Sequence, residues 1–149
     1  MSRKLTDLHP ILQELALKLI RNCKEMGISI VLTQTLRTFA EQDVIYAQGR
    51  TKPGRIVTNA RGGESYHNYG LAFDVAVKSK YGLTWDELAD TNDDLVADYH
   101  QVGEIAEELG LEWGGRWKFR DIPHYQYTFG LSIKDLKAGK LPPTTKSVV

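Results

Sequence analysis

Apolar residues recur at intervals of three and four from Leu8 to Met26, through Ile11, Leu12, Leu15, Leu19 and Cys23, and the stripe stops at Gly27. That period belongs to one face of an α-helix, so Asp7 to Met26 is predicted to form an amphipathic helix. The pattern then changes: Ile28 to Thr35 is rich in β-branched residues and reads as a strand. Thr38 and Glu41 follow as a capping-box pair that opens a second helix, ending at Gly49. Arg37 therefore stands at a strand-to-helix junction.

Arg50 to Tyr66 holds four glycines or prolines and four basic residues without periodicity, and is predicted to be a long loop of the functional kind. Gly70 to Val77 resumes a strand-like run interrupted by one carboxylate, Asp74. Thr84 and Glu87 offer a second capping box for a short helix, and a longer helix is predicted from about Asp93 to Leu109. Leu95, Tyr99, Val102, Ala106 and Leu109 would share one face of it, with Gly110 closing it. Leu111 to Tyr127 alternates aromatic and polar residues around Gly114 and Gly115, which predicts two short strands joined by a turn. A final short helix begins at Ser132. The expected division is one domain over residues 1–140 and, over 141–149, a proline- and threonine-rich disordered tail or start of a linker.

A chain of 149 residues is long enough for one self-sufficient core. With 42% hydrophobic and 26% charged residues and a net charge of zero, it has the composition of an ordinary soluble protein. The basic loop from Arg50 to Arg61 gains no support from that balance as a nucleic-acid patch. Cys23 is the one cysteine and lies on the buried stripe, so packing accounts for it. The opening MSRKLTDLHP begins no apolar run long enough for a signal peptide or a membrane span. The expectation is synthesis in the cytoplasm, with any extracellular action following holin-type release or needing an export signal absent from this chain.

Among the four histidines, His67 and His124 sit in glycine- or proline-defined segments next to carboxylates, whereas His9 and His100 fall on or near helices. Two histidines and a carboxylate, with a fourth position open for water, make a catalytic zinc site, and His67, Asp74 and His124 could supply it. The interval of seven between His67 and Asp74 would put them on opposite faces of an unbroken strand. Gly70 can resolve this, because a Cβ-free residue permits the bend that brings His67 over Asp74. Ile122, preceding Pro123, is pushed toward extended backbone, so His124 should open a strand with Asp121 just outside it. Asp121 is then placed to act as general base toward a water without itself binding metal. Spacing alone leaves open that His67 is a turn residue and Asp74 a solvated strand-end charge.

The run Ser65-Tyr66-His67-Asn68-Tyr69-Gly70-Leu71-Ala72-Phe73-Asp74 fits SxHxxGxAxD, and Asp121-Ile122-Pro123-His124 fits DxPH. Together they resemble the zinc D-alanyl-D-alanine carboxypeptidase and L-alanyl-D-glutamate peptidase superfamily. Arg37-Thr38 with Glu41-Gln42, the run Tyr46 to Gly54, Ile56 to Ala60, Gly62-Gly63 and Trp113-Gly114-Gly115 narrow the resemblance. They are similar to the L-alanyl-D-glutamate endopeptidases of phage endolysins and bacterial wall lytic enzymes. The likeness covers about residues 8–128.

The resemblance implies a small α+β domain with a central antiparallel sheet flanked by helices. It implies zinc held by His67, Asp74 and His124, Asp121 as base, and Arg37 polarising the substrate near the scissile carbonyl. Ser65 and Gln42 match substrate-contacting positions, although either could be a turn or cap residue and Arg37 could merely border a helix. Arg116 stands where relatives often carry an acidic residue, which puts substrate preference around that loop in question. Trp113, Trp117 and Tyr125 are assigned to the core. The implied activity is hydrolysis of the L-alanyl-D-glutamate bond of bacterial peptidoglycan by a monomer. The alternatives are a D-alanyl-D-alanine carboxypeptidase or dipeptidase and, from another class, a catalytically silent zinc module that binds the wall.

Overall fold

In the computed structural model, which describes residues 1–143, the first helix, α1, runs over Pro10–Glu25. It begins three residues later than the apolar stripe predicts, because Pro10 brings no N–H and sits at the first helical turn. His9 caps it, its Nδ1 accepting the Ile11 N–H at 3.1 Å. Leu8 is buried but caps a preceding short 3-10 turn, Leu5–Asp7, and Met26 faces solvent. Ile11, Leu12, Leu15, Leu19 and Cys23 form the buried stripe. Gly27 ends the run with φ of 82°.

Strand β1 (Ile30–Gln34) leads into α2 (Phe39–Ala47), where the Thr38–Glu41 capping box forms as predicted. The chain then runs without regular structure to a 3-10 turn at Tyr66–Tyr69, apart from an isolated bridge between Gln48 and Lys52. Strand β2 (Ala72–Ser79) is central. It pairs antiparallel with β1, with β3 (Gly82–Thr84) and with β5 (His124–Gln126), which in turn pairs with β4 (Glu112–Trp113). Phe73, Val75 and Val77 on one face of β2 join the core beneath α1 and α3 (Asp98–Glu108). Asp74 therefore points to the opposite face. Helix α4 (Ile133–Lys137) starts at the predicted Ser132 cap, whose Oγ accepts the Asp135 N–H at 3.0 Å.

The short helix predicted after Thr84 does not form, and the longer one predicted from Asp93 starts five residues late. Residues 85–97 contain no helix. Thr84 Oγ1 accepts the Asp86 N–H and Asp86 Oδ1 the Leu88 N–H, so the segment is held as successive turns closed by side chains. Asp90 likewise captures the N–H groups of Asp94 and Leu95, and Asp93 and Leu95 adopt φ of 54° and 70°. Helix α3 begins only at Asp98, and Leu95 is 96% exposed instead of facing the core. Strands β4 and β5 pair as predicted, but residues 114–123 join them and include a 3-10 turn at Gly114–Arg116. Ile122 and Pro123 form a turn closed by the His124 N–H on the Asp121 carbonyl at 3.2 Å. Residues 144–149, most of the predicted tail, lie outside the described residues. Among the described residues no helix is long and apolar enough to cross a membrane.

Candidate metal centre and catalytic cleft

Asp74 and His124 are direct cross-strand partners in the β2–β5 ladder, so the sheet itself brings their side chains together. His67 arrives by a different route. Ser65 caps the 3-10 turn through its Oγ, which accepts the His67 N–H at 3.3 Å, and Gly70 ends the turn at φ 70°, ψ 21°. That left-handed glycine reverses the chain so that His67 lies back over Asp74. A Cβ there would also stand 3.2 Å from the His9 nitrogen.

His67 Nε2 lies 3.3 Å and His124 Nδ1 3.2 Å from the same oxygen, Asp74 Oδ1. The three candidate ligand atoms all fall within 4.8 Å of one another. His67 Nδ1 is 2.9 Å from the Thr35 carbonyl oxygen, which can only accept, so Nδ1 carries the hydrogen. Nε2 of the neutral ring is then a bare lone pair directed at a carboxylate oxygen. Two such groups repel unless a cation lies between them, and this donor set fits a divalent metal ion.

Asp121 stands at the edge, its Oδ2 3.8 Å from His124 Nδ1 and its side chain half-exposed. Its backbone is pinned by the Asp121 N–H on the Gly114 carbonyl at 2.9 Å. A Cβ on Gly114 would meet the Asp121 carbonyl oxygen at 2.3 Å, so glycine is what allows the two segments to pass. Partial burial raises the Asp121 carboxyl, as does the Asp74 charge, while His124, His67 and Arg37 pull it down.

Arg37 is buried, and burial lowers its pKa against the opposing charges of Asp74, Asp121 and Glu41. Its guanidinium donates to Gln42 Oε1 at 2.8 Å and to Gln34 Oε1. With its backbone N–H on the His67 carbonyl at 3.0 Å, Arg37 is fixed to the turn that carries the first histidine.

These groups open into a cleft of about 530 Å³, whose walls include Val57 and Thr58 of the long loop, Ser65, Tyr66 and Trp117. Ser65 is therefore both cap and cleft wall. Gln42 is fully buried beside Arg37 and does not line the cleft; its amide nitrogen donates to the Ala60 carbonyl at 2.8 Å. Trp113 and Tyr125 are core residues as expected, but Trp117 is not, since its ring lies 5.2 Å from that of His124 on the cleft wall. Arg116 pairs with Glu107 of α3 at 2.9 Å and does not line the cleft. Nothing in the sequence distinguishes Gln34, Thr35 and Gln126 from the polar residues around them.

A family model described as D-alanyl-D-alanine carboxypeptidase matches residues 58–127, which hold His67, Asp74, Asp121 and His124. Over 123 residues, 81% of this chain and 74% of the relative, the sequence is 52% identical to the peptidoglycan L-alanyl-D-glutamate endopeptidase CwlK of Bacillus subtilis (strain 168). The chain belongs to the zinc D-alanyl-D-alanine carboxypeptidase and L-alanyl-D-glutamate peptidase superfamily. The superfamily fold is seen in the solved L-Ala D-Glu endopeptidase ChiX of Serratia marcescens, with a TM-score of 0.56, 26% identity and 84% of each chain covered. Two solved structures share the superfamily fold at lower identity. The LD-carboxypeptidase LdcB gives a TM-score of 0.58 at 20% identity, covering 85% of this chain and 60% of that one. A D,D-pentapeptidase VanY mutant, solved with Zn(II), gives 0.51 at 17% identity, covering 84% and 73%. The antiparallel sheet flanked by helices is thus the α+β fold that the motifs implied.

Proposed function

We propose that this chain is a zinc-dependent endopeptidase that hydrolyses the L-alanyl-D-glutamate bond in the peptide stem of bacterial peptidoglycan, acting as a monomer. The observation that carries the reading is the convergence of His67, Asp74 and His124 on one point, with Asp121 and Arg37 beside them in a single cleft. The identity to CwlK supports the choice of bond, and the likeness to ChiX agrees with it. Synthesis in the cytoplasm, with passage to the wall by release or by a separate export signal, remains part of the proposal.

His67, Asp74 and His124 would hold the zinc. When bound, it supplies a Lewis acid that acidifies water and polarises a carbonyl. Asp121 takes a proton from the attacking water and later delivers one to the nitrogen of the departing D-glutamyl residue. The C–N bond breaks, leaving a carboxylate on L-alanine and a free amine on D-glutamate. Arg37, fixed by Gln34 and Gln42, keeps its positive charge toward the cleft, where it stabilises negative charge growing on the carbonyl oxygen.

Digestion of purified muropeptides, followed by mass spectrometry of the new amino terminus, tests the reading. A terminal D-glutamyl residue that appears without chelator and not with it is the expected result. Release of D-alanine alone would replace this reading with carboxypeptidase activity on the same polymer.

A further inference from the structure

The proposed chemistry leaves one close neighbour of the His124 ring unused. Gln126 is buried, and its side-chain oxygen lies 2.8 Å from His124 Nε2. Its amide nitrogen donates to Glu112 Oε2 at 3.2 Å, and the Trp117 indole N–H donates to the same oxygen at 2.8 Å. Glu112 and Gln126 are direct partners across the β4–β5 ladder, while His124 and Gln126 are two apart on one face of β5.

Chemistry, not shape, decides which way round the Gln126 amide sits. A carboxylate can only accept, so the amide NH₂ must face Glu112 and the amide oxygen must face His124. That oxygen can only accept in turn, so Nε2 carries the ring hydrogen. The neutral ring then has its lone pair on Nδ1, the atom 3.2 Å from Asp74 Oδ1. Were the amide reversed, its oxygen would oppose Glu112 and its NH₂ would drive the ring hydrogen to Nδ1. A ring in that form cannot bind metal through the atom that faces the site.

We propose that Gln126 and Glu112 are positioning residues that lock His124 in its Nε2–H tautomer, with Trp117 tying the same carboxylate to the cleft wall. This rests on the reading of His124 as a zinc ligand. Glu112 acts two hydrogen bonds away from the metal position and touches neither substrate nor ion.

The test uses the full chain, with zinc affinity measured by chelator competition. The His124 ring nitrogen shifts are read by NMR in the metal-free protein at alkaline pH, where the ring is neutral. The wild type is expected to show hydrogen on Nε2. Gln126→Leu is expected to bind zinc about 10–100-fold more weakly. Glu112→Leu removes the acceptor that fixes the amide orientation, so the ring shifts should report both tautomers.

Combining Glu112→Ala with Gln126→Glu puts a carboxylate at Nε2 with no opposing charge. That carboxylate can only accept, so Nε2 keeps the ring hydrogen and affinity should recover about tenfold over Gln126→Leu. If Gln126→Leu does not fold, Glu112→Leu and the double variant still decide. Wild-type affinity in Gln126→Leu, unaltered ring shifts in Glu112→Leu, or wild-type hydrogen on Nδ1 overturns the proposal. A wild-type chain that binds no zinc overturns the metal reading instead, and the ring shifts then report separately whether the lock exists.

Discussion

Asp121 differs from the other acidic residue of the site in one respect that matters for catalysis: it is near the metal position without being aimed at its centre. Asp74 is held by both histidines, whereas the Asp121 carboxylate is 3.8 Å from His124 and half-exposed to the cleft. Asp121→Ala should therefore retain its zinc, read by elemental analysis, while turnover on muropeptides falls by about 10²–10⁴-fold. Loss of the metal together with activity would make Asp121 a ligand and remove it as the base. Gln42 gives a second prediction at this scale. Gln42→Leu removes the acceptor 2.8 Å from the Arg37 guanidinium and frees that side chain to swing. Misplacement of a group that must meet the transition state costs about 10²-fold in rate, so turnover should fall by that order with zinc content unchanged. Unchanged turnover would show that Gln34 alone suffices to hold Arg37.

The segment joining β4 to β5 is the element that sets catalytic geometry, because it carries Asp121 and Trp117 between two strands that are otherwise fixed. Gly114 lets this segment fold back on itself: a Cβ there would sit 2.3 Å from the Asp121 carbonyl oxygen. Gly114→Ala must push the Asp121 backbone away from the site. The expected outcome is a loss of activity approaching about 10²-fold, larger than any accompanying fall in melting temperature would explain. Equal activity in that variant would mean that Asp121 reaches its target from more than one backbone position. The segment before α3 illustrates the opposite case. Asp86, Asp90 and Asp94 occupy backbone N–H groups through their side chains, so an apparently helical stretch remains irregular until Asp98.

Across the whole molecule, the core beneath the sheet is apolar enough to reject charge. Burial pushes the Cys23 thiol up to about 12 from an ordinary value of 9.0, and burial drives the Tyr125 hydroxyl well above its ordinary range. The folded state keeps the Cys23 proton after the unfolded chain has lost it, so the raised pKa favours folding below the unfolded value. That contribution is lost as pH rises through the interval toward 12. Stability measured by denaturant titration should fall by about 1 kcal/mol between pH 9 and 10 on account of Cys23. Cys23→Ala should lose this slope whatever its stability at neutral pH. A thiol reagent should react with the native protein only as fast as it opens; prompt labelling would contradict the burial.

The helix stripe from Ile11 to Cys23, the β1 strand, the capping box at Thr38, the helix start at Ser132 and the candidate ligands His67, Asp74 and His124 were all legible in the chain. They depend on local periodicity, on side-chain-to-backbone bonds within one turn, or on motif spacing, and such signals survive without a third dimension. The helix predicted from Asp93 begins only at Asp98 because aspartate side chains compete for the same backbone donors, a contest that apolar periodicity does not register. Only the fold set the roles of Gln42, Thr35 and Gln126. Their importance comes from facing Arg37, His67 and His124, and for the first two that contact is made between separate elements. The sequence alone determined which side chains could form the site; the antiparallel register of β2, β5 and β4 decided which atoms face inward, because pairing partners across strands are chosen by the ladder and not by proximity along the chain.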